Sequence, residues 1–352
     1  MHGHMKTPIL IVAVVAASSL FVQGCERDRE RNRGSRAVAG KGAGKVVVYT
    51  SVDEQFAEVV LERFEERSEI ELSILTDSEA GKTTGLVQKI EAEASRPRAD
   101  VFWSSELFGT ILLARKGLLE PYDSPAAADI PDRYKDPQHR WTACAVRGRV
   151  VAFDLNRIAA DDIPRKWEDL ADPRFASGLA YANPLFGTTR GHVAAMFALW
   201  GPERGRRFLT NLRDNGALMV DGNSSALRMV MTGGAKLCAT DTDDVWLGRI
   251  KGAPLDMVYP DMGDGGTLLI PCSVALVKGG PNVAGARKVV DFLVSAEVER
   301  MLAKSFSHNI PVREALRQEM GMDWPSETTV PFDKIADAMD ESVAAVREIL
   351  IR

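Results

Sequence analysis

Histidine, tyrosine and cysteine are scarce in this chain, at 5, 5 and 4 of 352 residues. His2 and His4 precede the expected start at Met5, so only His139, His192 and His308 remain for chemistry. There is no GxSxG elbow, no HExxH pair and no complete phosphate-binding loop; "SEAGKTTG" carries a Lys-Thr pair, but its first glycine is missing. A hydrolase using paired carboxylates such as Asp53 and Asp244 is the enzyme alternative, yet nothing in the sequence singles out such a pair. Cys25 apart, Cys144, Cys238 and Cys272 have no CxxC or His-rich spacing, which argues against a zinc site. An exported compartment permits one disulfide among them with a thiol left over, or three buried thiols. A basic stripe is also missing and the net charge is −5, so nucleic acid is not the expected partner.

Long apolar runs are limited to one, "PILIVAVVAASSLFV", whose 15 residues fall short of the roughly 20 that span a bilayer. Met5-Lys6 give it a short basic start and Gly24-Cys25 follow it, so residues 1–25 are expected to be an export signal rather than part of the fold. The end resembles a bacterial lipoprotein signal, which implies that Cys25 becomes the lipidated first residue and ties the protein to a membrane surface. Residues 26–44 are polar, charged and glycine-containing without apolar periodicity, the composition of a flexible tether. About 307 residues remain, more than one core usually holds, so two lobes are expected and no internal repeat organises them.

Residues 45–141 read as the first lobe. "KVVVYTS", "IELSIL" and "ADVFW" are short β-branched or apolar strands. Between and after them, "EQFAEVVLERFEERS" (apolar at Phe56, Val59, Val60 and Phe64), "GLVQKIEAEAS" and "ELFGTILLARKG" have helical periods. Such alternation predicts a doubly wound parallel sheet, which binds ligands beyond the carboxyl ends of its strands. A long strand near 142–153 opens the second lobe, residues 142–266, in which "IPRKWEDLADPRFASGLAYANP" reads as loops and short turns. A second long strand near 267–278, interrupted by Pro271, returns the chain, and residues 267–352 end in helices packed on the lobes. The expected fold is α/β, two doubly wound lobes joined by a two-strand hinge.

Candidate ligand residues fall at strand ends and helix starts. Gly187-Thr188-Thr189 and the stretch Gly222 to Ala226, with Asn223 and Ser224, each precede an apolar helical run, where unpaired backbone N–H groups and the helix dipole favour an anion. A plain N-cap is the structural alternative. Against them stand carboxylates: Asp53, Glu79 and Glu106 in separate first-lobe loops, and Asp241, Asp243 and Asp244 in "ATDTDDVW". Single acids at strand ends are commonly helix caps, and "DTDD" also reads as a solvated loop cap. Several acids converging on one crevice need a cation or hydrogen-bond donors to offset their repulsion.

The ordered set "VVVYTSVDEQF", "SEAGKTTGLVQKIEAEASRPRADVFWSSE", "GLLEPY", "NPLFGTT", "GNSSALRMV" and "CATDTDDVW" resembles the extracellular solute-binding proteins of bacterial ABC importers, in the branch that holds the ferric-ion-binding proteins. The likeness runs from about residue 45 to about residue 315. It implies a hinged periplasmic binding protein, type II-like, that closes on one small ligand, performs no catalysis and presents its cargo to a permease and ATPase complex. The family's phosphate-type anion site would fall on Gly187, Thr188, Asn223 and Ser224. Where iron-binding members have a histidine this chain has Asp53, where they have a carboxylate it has Ser105 or Glu106, and "TDDVW" stands where they carry a tyrosine pair. Tyr181 and Tyr259 lie elsewhere, and no Tyr-Tyr occurs. Phenolate is a hard, basic donor suited to Fe(III), whereas carboxylates suit a wider set of hard cations.

The resulting expectation is a monomeric, lipid-anchored periplasmic or cell-surface receptor without a resident cofactor. Ser51, Asp53, Glu79, Ser105 and Glu106 face Gly187, Thr188, Thr189, Asn223, Ser224, Asp241, Asp243 and Asp244 across the crevice, with Asp53, Glu106 and Asp244 as candidate metal ligands. The expected ligand is a ferric ion or another hard metal such as Ca²⁺ or Mn²⁺ with a phosphate-like anion, and the alternative is a small zwitterion such as an aminophosphonate.

Overall fold

The computed structural model describes residues 44–77 and 83–351; the leader with Cys25, all but the last residue of the tether, and Glu79 lie outside the described residues. No helix among the described residues is long and apolar enough to cross a membrane. The chain starts with the alternation that its periodicity predicts: β1 (Val46–Thr50), α1 (Glu54–Arg67), β2 (Leu72–Thr76), α2 (Thr84–Ala92), β3 (Val101–Ser104), α3 (Phe108–Arg115) and the short β4 (Leu119–Glu120). Helix α1 buries Phe56, Ala57, Val60, Leu61 and Phe64, while Val59, expected on the same face, points outward and is exposed.

The long strand β5 (Thr142–Asp154) leads to α4 (Pro173–Ala176), β6 (Leu179–Ala182), α5 (Gly187–Trp200), α6 (Pro202–Asp214), β7 (Leu218–Val220), α7 (Asn223–Thr232), β8 (Leu237–Asp241), α8 (Thr242–Ile250) and β9 (Leu255–Val258). Strand β10 (Leu269–Val277) returns, followed by α9 (Val283–Leu293), α10 (Ala296–Lys304), α11 (Glu314–Met320), α12 (Phe332–Asp337) and α13 (Met339–Leu350). "LAYA", expected in a loop, is the buried strand β6, because its neighbours β7 and β8 cover a stretch too short and alanine-rich to show a period. Strand order is β2-β1-β3-β10-β5-β8-β6-β7, with β4 beside β10 and β9 beside β5. Two parallel triplets, β2-β1-β3 and β8-β6-β7, are thus joined through antiparallel β10 and β5.

Strand β5 serves both triplets in turn. Its residues Thr142 to Gly148 pair with β10, and Arg149 to Phe153 pair with β8. The changeover lies within "RGR", where Arg147 is opposite Ile270 and Arg149 is opposite Asp241. Pro271 does not interrupt β10. It lies opposite Val146, whose N–H and C=O bond instead to Ile310, so a backbone donor at position 271 is not required there. Cys144, Cys238 and Cys272 are free, buried thiols.

Candidate functional site

The carboxyl ends of β1, β3, β6, β7 and β8 deliver their loops to one cavity, the location expected for a ligand in an open α/β sheet. Its walls include Asp53, Ser105, Arg147, Gly187, Thr188, Thr189, Asn223, Ser224, Asp241, Asp243 and Asp244. It measures about 40 Å³, on the scale of a few water molecules.

Helices α5 and α7 both start at this cavity. Neither has a side-chain cap on its first turn, so the leading N–H groups of each remain directed at the pocket. Gly187 opens α5 at φ +52°, a left-handed conformation that suits glycine. The hydroxyl and amide side chains at these starts turn toward Asp241. Thr188 Oγ1 donates to Asp241 Oδ2 at 2.6 Å and Asn223 Nδ2 donates to the same oxygen at 2.9 Å. Asp241 holds the N-cap position of α8 yet makes no cap bond, because its carboxylate is committed to these partners and to Arg149.

Two arginines are the residues that the sequence reading missed. Residues i and i+2 of a strand share a face, so "RGR" aims both guanidiniums to the same side. Arg149 is fully buried; its Nη1 lies 2.7 Å from Asp241 Oδ1 and also reaches Thr188 Oγ1 at 3.3 Å, while Nη2 reaches Thr189 Oγ1 at 3.4 Å. Arg147 Nη1 donates to Asp243 Oδ2 at 2.8 Å and Nη2 donates to the Ser105 carbonyl at 2.6 Å. Gly148 between them leaves room for the Tyr259 ring, whose Cε1 would lie 2.5 Å from a Cβ at that position. An arginine pair inside the otherwise apolar "TACAVRGRVVAFD" is the signal that was available, since buried arginines are rare unless paired.

These pairs change the meaning of the three acids. The carboxylate oxygens of Asp241, Asp243 and Asp244 come within 4.8 Å of one another, an arrangement able to hold a metal ion. Two of the three charges, however, already face guanidiniums. Burial pushes Asp241 up, but Arg149, Arg147 and the Thr188 hydroxyl outweigh it and hold the carboxyl below its usual range. Asp243 is raised by burial and by the charges of Asp241 and Asp53, in spite of Arg147. Asp244 has no guanidinium, accepts from Thr240 Oγ1 at 2.6 Å, and is pushed up to about 7 by burial and by Asp243 and Asp241.

The remaining first-lobe candidates separate. Asp53 and Ser105 line the cavity. Ser51 sits behind them, its Oγ accepting from Ser105 N at 2.9 Å and Thr83 Oγ1 at 3.0 Å. Glu106 does not line the cavity: its carboxylate accepts from the N–H groups of Phe108 at 2.6 Å and Gly109 at 3.0 Å, satisfying the first turn of α3. A carboxylate at a helix start finds its partners locally, and Glu106 is engaged there. Burial raises its pKa despite those bonds.

A family model described as bacterial extracellular solute-binding protein matches residues 97–337. An uncharacterized protein of Haemophilus influenzae is 28% identical over 279 residues, covering 76% of this chain and 78% of that protein. The major ferric iron-binding protein of Neisseria meningitidis is 27% identical over 266 residues, 73% of this chain and 78% of its own. A putative 2-aminoethylphosphonate-binding periplasmic protein of Salmonella paratyphi A is 25% identical over 233 residues, 65% of this chain and 66% of its own. Among solved structures, the ferric binding protein from Campylobacter jejuni matches with a TM-score of 0.78 at 22% identity, over 87% of this chain and 99% of that one, a likeness of fold.

Proposed function

Because the chain belongs to the bacterial extracellular solute-binding proteins, we propose that it is the receptor of an ABC importer for a small zwitterion of the aminophosphonate kind. The observation that carries this reading is the mixed lining of the cavity, the uncapped starts of α5 and α7 together with Asp53, Asp243 and Asp244. Helix starts take a phosphonate or phosphate group, and the acids take an ammonium. The residues are all on this chain, and the 2-aminoethylphosphonate named for a Salmonella relative is a ligand of that chemistry.

Electrostatics favours this cargo over a bare ferric ion. Two of the cluster's carboxylates already face guanidiniums, so less negative charge is left for a trivalent ion than the acids alone suggest. A zwitterion brings no net charge. The second reading, a hard metal held by Asp53 and Asp244 with an anion on the helix starts, is favoured by the closeness of the three carboxylates and by the ferric iron-binding relatives. Both readings share lobe closure about β5 and β10, delivery to a permease and ATPase complex, a monomeric receptor and a lipid anchor at Cys25 in the periplasm or on the cell surface.

Isothermal titration of the purified protein with 2-aminoethylphosphonate, inorganic phosphate and ferric citrate tests the choice, together with metal analysis of the protein as purified. Binding of the aminophosphonate by metal-free protein is expected. A stoichiometric metal, with no heat from the aminophosphonate, would favour the second reading.

A further inference from the structure

Arg147 and Asp243 differ from the rest of the cluster in what they leave unsatisfied. Both line the cavity, at 6% and 7% exposure, and each has a polar atom without a hydrogen-bond partner: Nε of Arg147 and Oδ1 of Asp243. Arg149 Nε is also unpartnered, but that side chain is fully buried and does not line the cavity. A buried donor and a buried acceptor facing one pocket match a ligand that offers an acceptor and a donor.

The pair also stands at a small cavity. With Arg147 Nη1 at 2.8 Å from Asp243 Oδ2, the cavity is only about 40 Å³. Arg147 has a second anchor that is independent of Asp243, the Ser105 carbonyl at 2.6 Å from Nη2. Nη2 can therefore stay fixed to the loop after β3 while Nη1, released from Asp243, turns to a new acceptor.

We propose that the Arg147–Asp243 ion pair selects the ligand: a molecule with an oxyanion and an ammonium parts the pair, its oxyanion taking Arg147 and its ammonium taking Asp243. This rests on the reading of the protein as a receptor for a small zwitterion and adds the residues that enforce the double charge. An anion alone satisfies Arg147 and strands Asp243 in a buried site; a cation alone does the reverse. Only a ligand with both ends replaces each half of the pair with an equivalent partner. A planar guanidinium suits the task because it donates to Ser105 and to the ligand from different edges.

The test is calorimetry with 2-aminoethylphosphonate and with ethylphosphonate, which lacks the amine, on the wild type, Arg147→Gln, Asp243→Asn and the double variant Arg147→Gln/Asp243→Asn. The wild type is expected to prefer the aminophosphonate by about a hundredfold. Asp243→Asn should cut that preference to within about tenfold, mainly by improving ethylphosphonate, and Arg147→Gln should weaken the aminophosphonate by about a hundredfold. The double variant leaves no unpaired charge from the pair and keeps the proposal testable if a single variant misfolds; it is expected to bind both compounds with similar, weak affinity. Folded variants that retain the wild-type preference would overturn the inference while leaving the receptor reading intact. A wild type that binds neither compound would overturn both.

Discussion

Arg149 meets one carboxylate, two threonine hydroxyls and an amide oxygen while fully excluded from solvent. Removing one member of such a pair strands the other charge. Arg149→Met is therefore expected to lower unfolding free energy by about 3–5 kcal/mol, and Arg149→Met with Asp241→Leu to recover much of that. Urea denaturation followed by circular dichroism measures both, and a loss below about 1 kcal/mol for the single variant would mean that the pair is not coupled as its geometry indicates. Asp244 supplies a pH signature. Its folded value, about 7, lies above its ordinary value, so the fold prefers the protonated form; its contribution is complete below the ordinary carboxylate range and is lost as pH rises through about 7. An ammonium prefers the carboxylate, so 2-aminoethylphosphonate should bind more tightly as pH rises from about 6 to 8 and should release protons on binding near neutrality. Titrations in two buffers of different ionisation enthalpy detect the release, and Asp244→Asn should flatten the profile.

At the scale of the element, helix starts carry most of the site, and their side chains do different work. Glu106 caps α3, so Glu106→Ala should cost about 1–2 kcal/mol of stability and leave aminophosphonate affinity within about twofold. A large affinity loss with little change in stability would return Glu106 to the ligand site. Helix α8 carries Asp243 and Asp244 in its first turn, and Trp246 in the next turn stacks on His308 at 4.3 Å between ring centroids and 28° between planes. His308 has a positive φ of 45°, uncommon for a residue with a side chain, in the segment that follows α10. A shift of α8 on binding must disturb this stack. The ligand-dependent change in intrinsic fluorescence is expected to be carried mainly by Trp246 and to disappear in Trp246→Phe with affinity retained. The helix starts themselves are legible in the sequence, because Thr188, Asn223 and the run from Asp241 each precede an apolar period. Strand β6 is not, since four residues of "LAYA" show too little alternation to separate a strand from a turn.

For the whole molecule, the two-lobe pattern is legible because strand and helix periods alternate over long stretches, and two long strands bracket the second half. What the sequence does not reveal is where β5 changes partners. Register between distant strands places Arg149 opposite Asp241 and brings Arg147 to the cavity, and no local period encodes that meeting. The acids are therefore visible in the sequence without the arginines that offset two of them. The same two strands, β5 and β10, are the path along which the halves of the sheet connect, so the proposed closure would bend the chain near the "RGR" changeover and the irregularity between Cys272 and Ser273. If ligand contacts made across the cavity drive that closure, saturating 2-aminoethylphosphonate should do two things together. At a concentration about a hundred times the dissociation constant it should raise unfolding free energy by about 2.7 kcal/mol, and it should reduce the radius of gyration measured by small-angle scattering. Arg147→Gln, which removes the guanidinium that is anchored on the Ser105 carbonyl and would take the ligand's oxyanion, should weaken the compaction. Stabilisation without compaction in the wild type would place the ligand in a cleft already closed before it arrives, and would make Arg147 a selector of charge rather than a link between the halves.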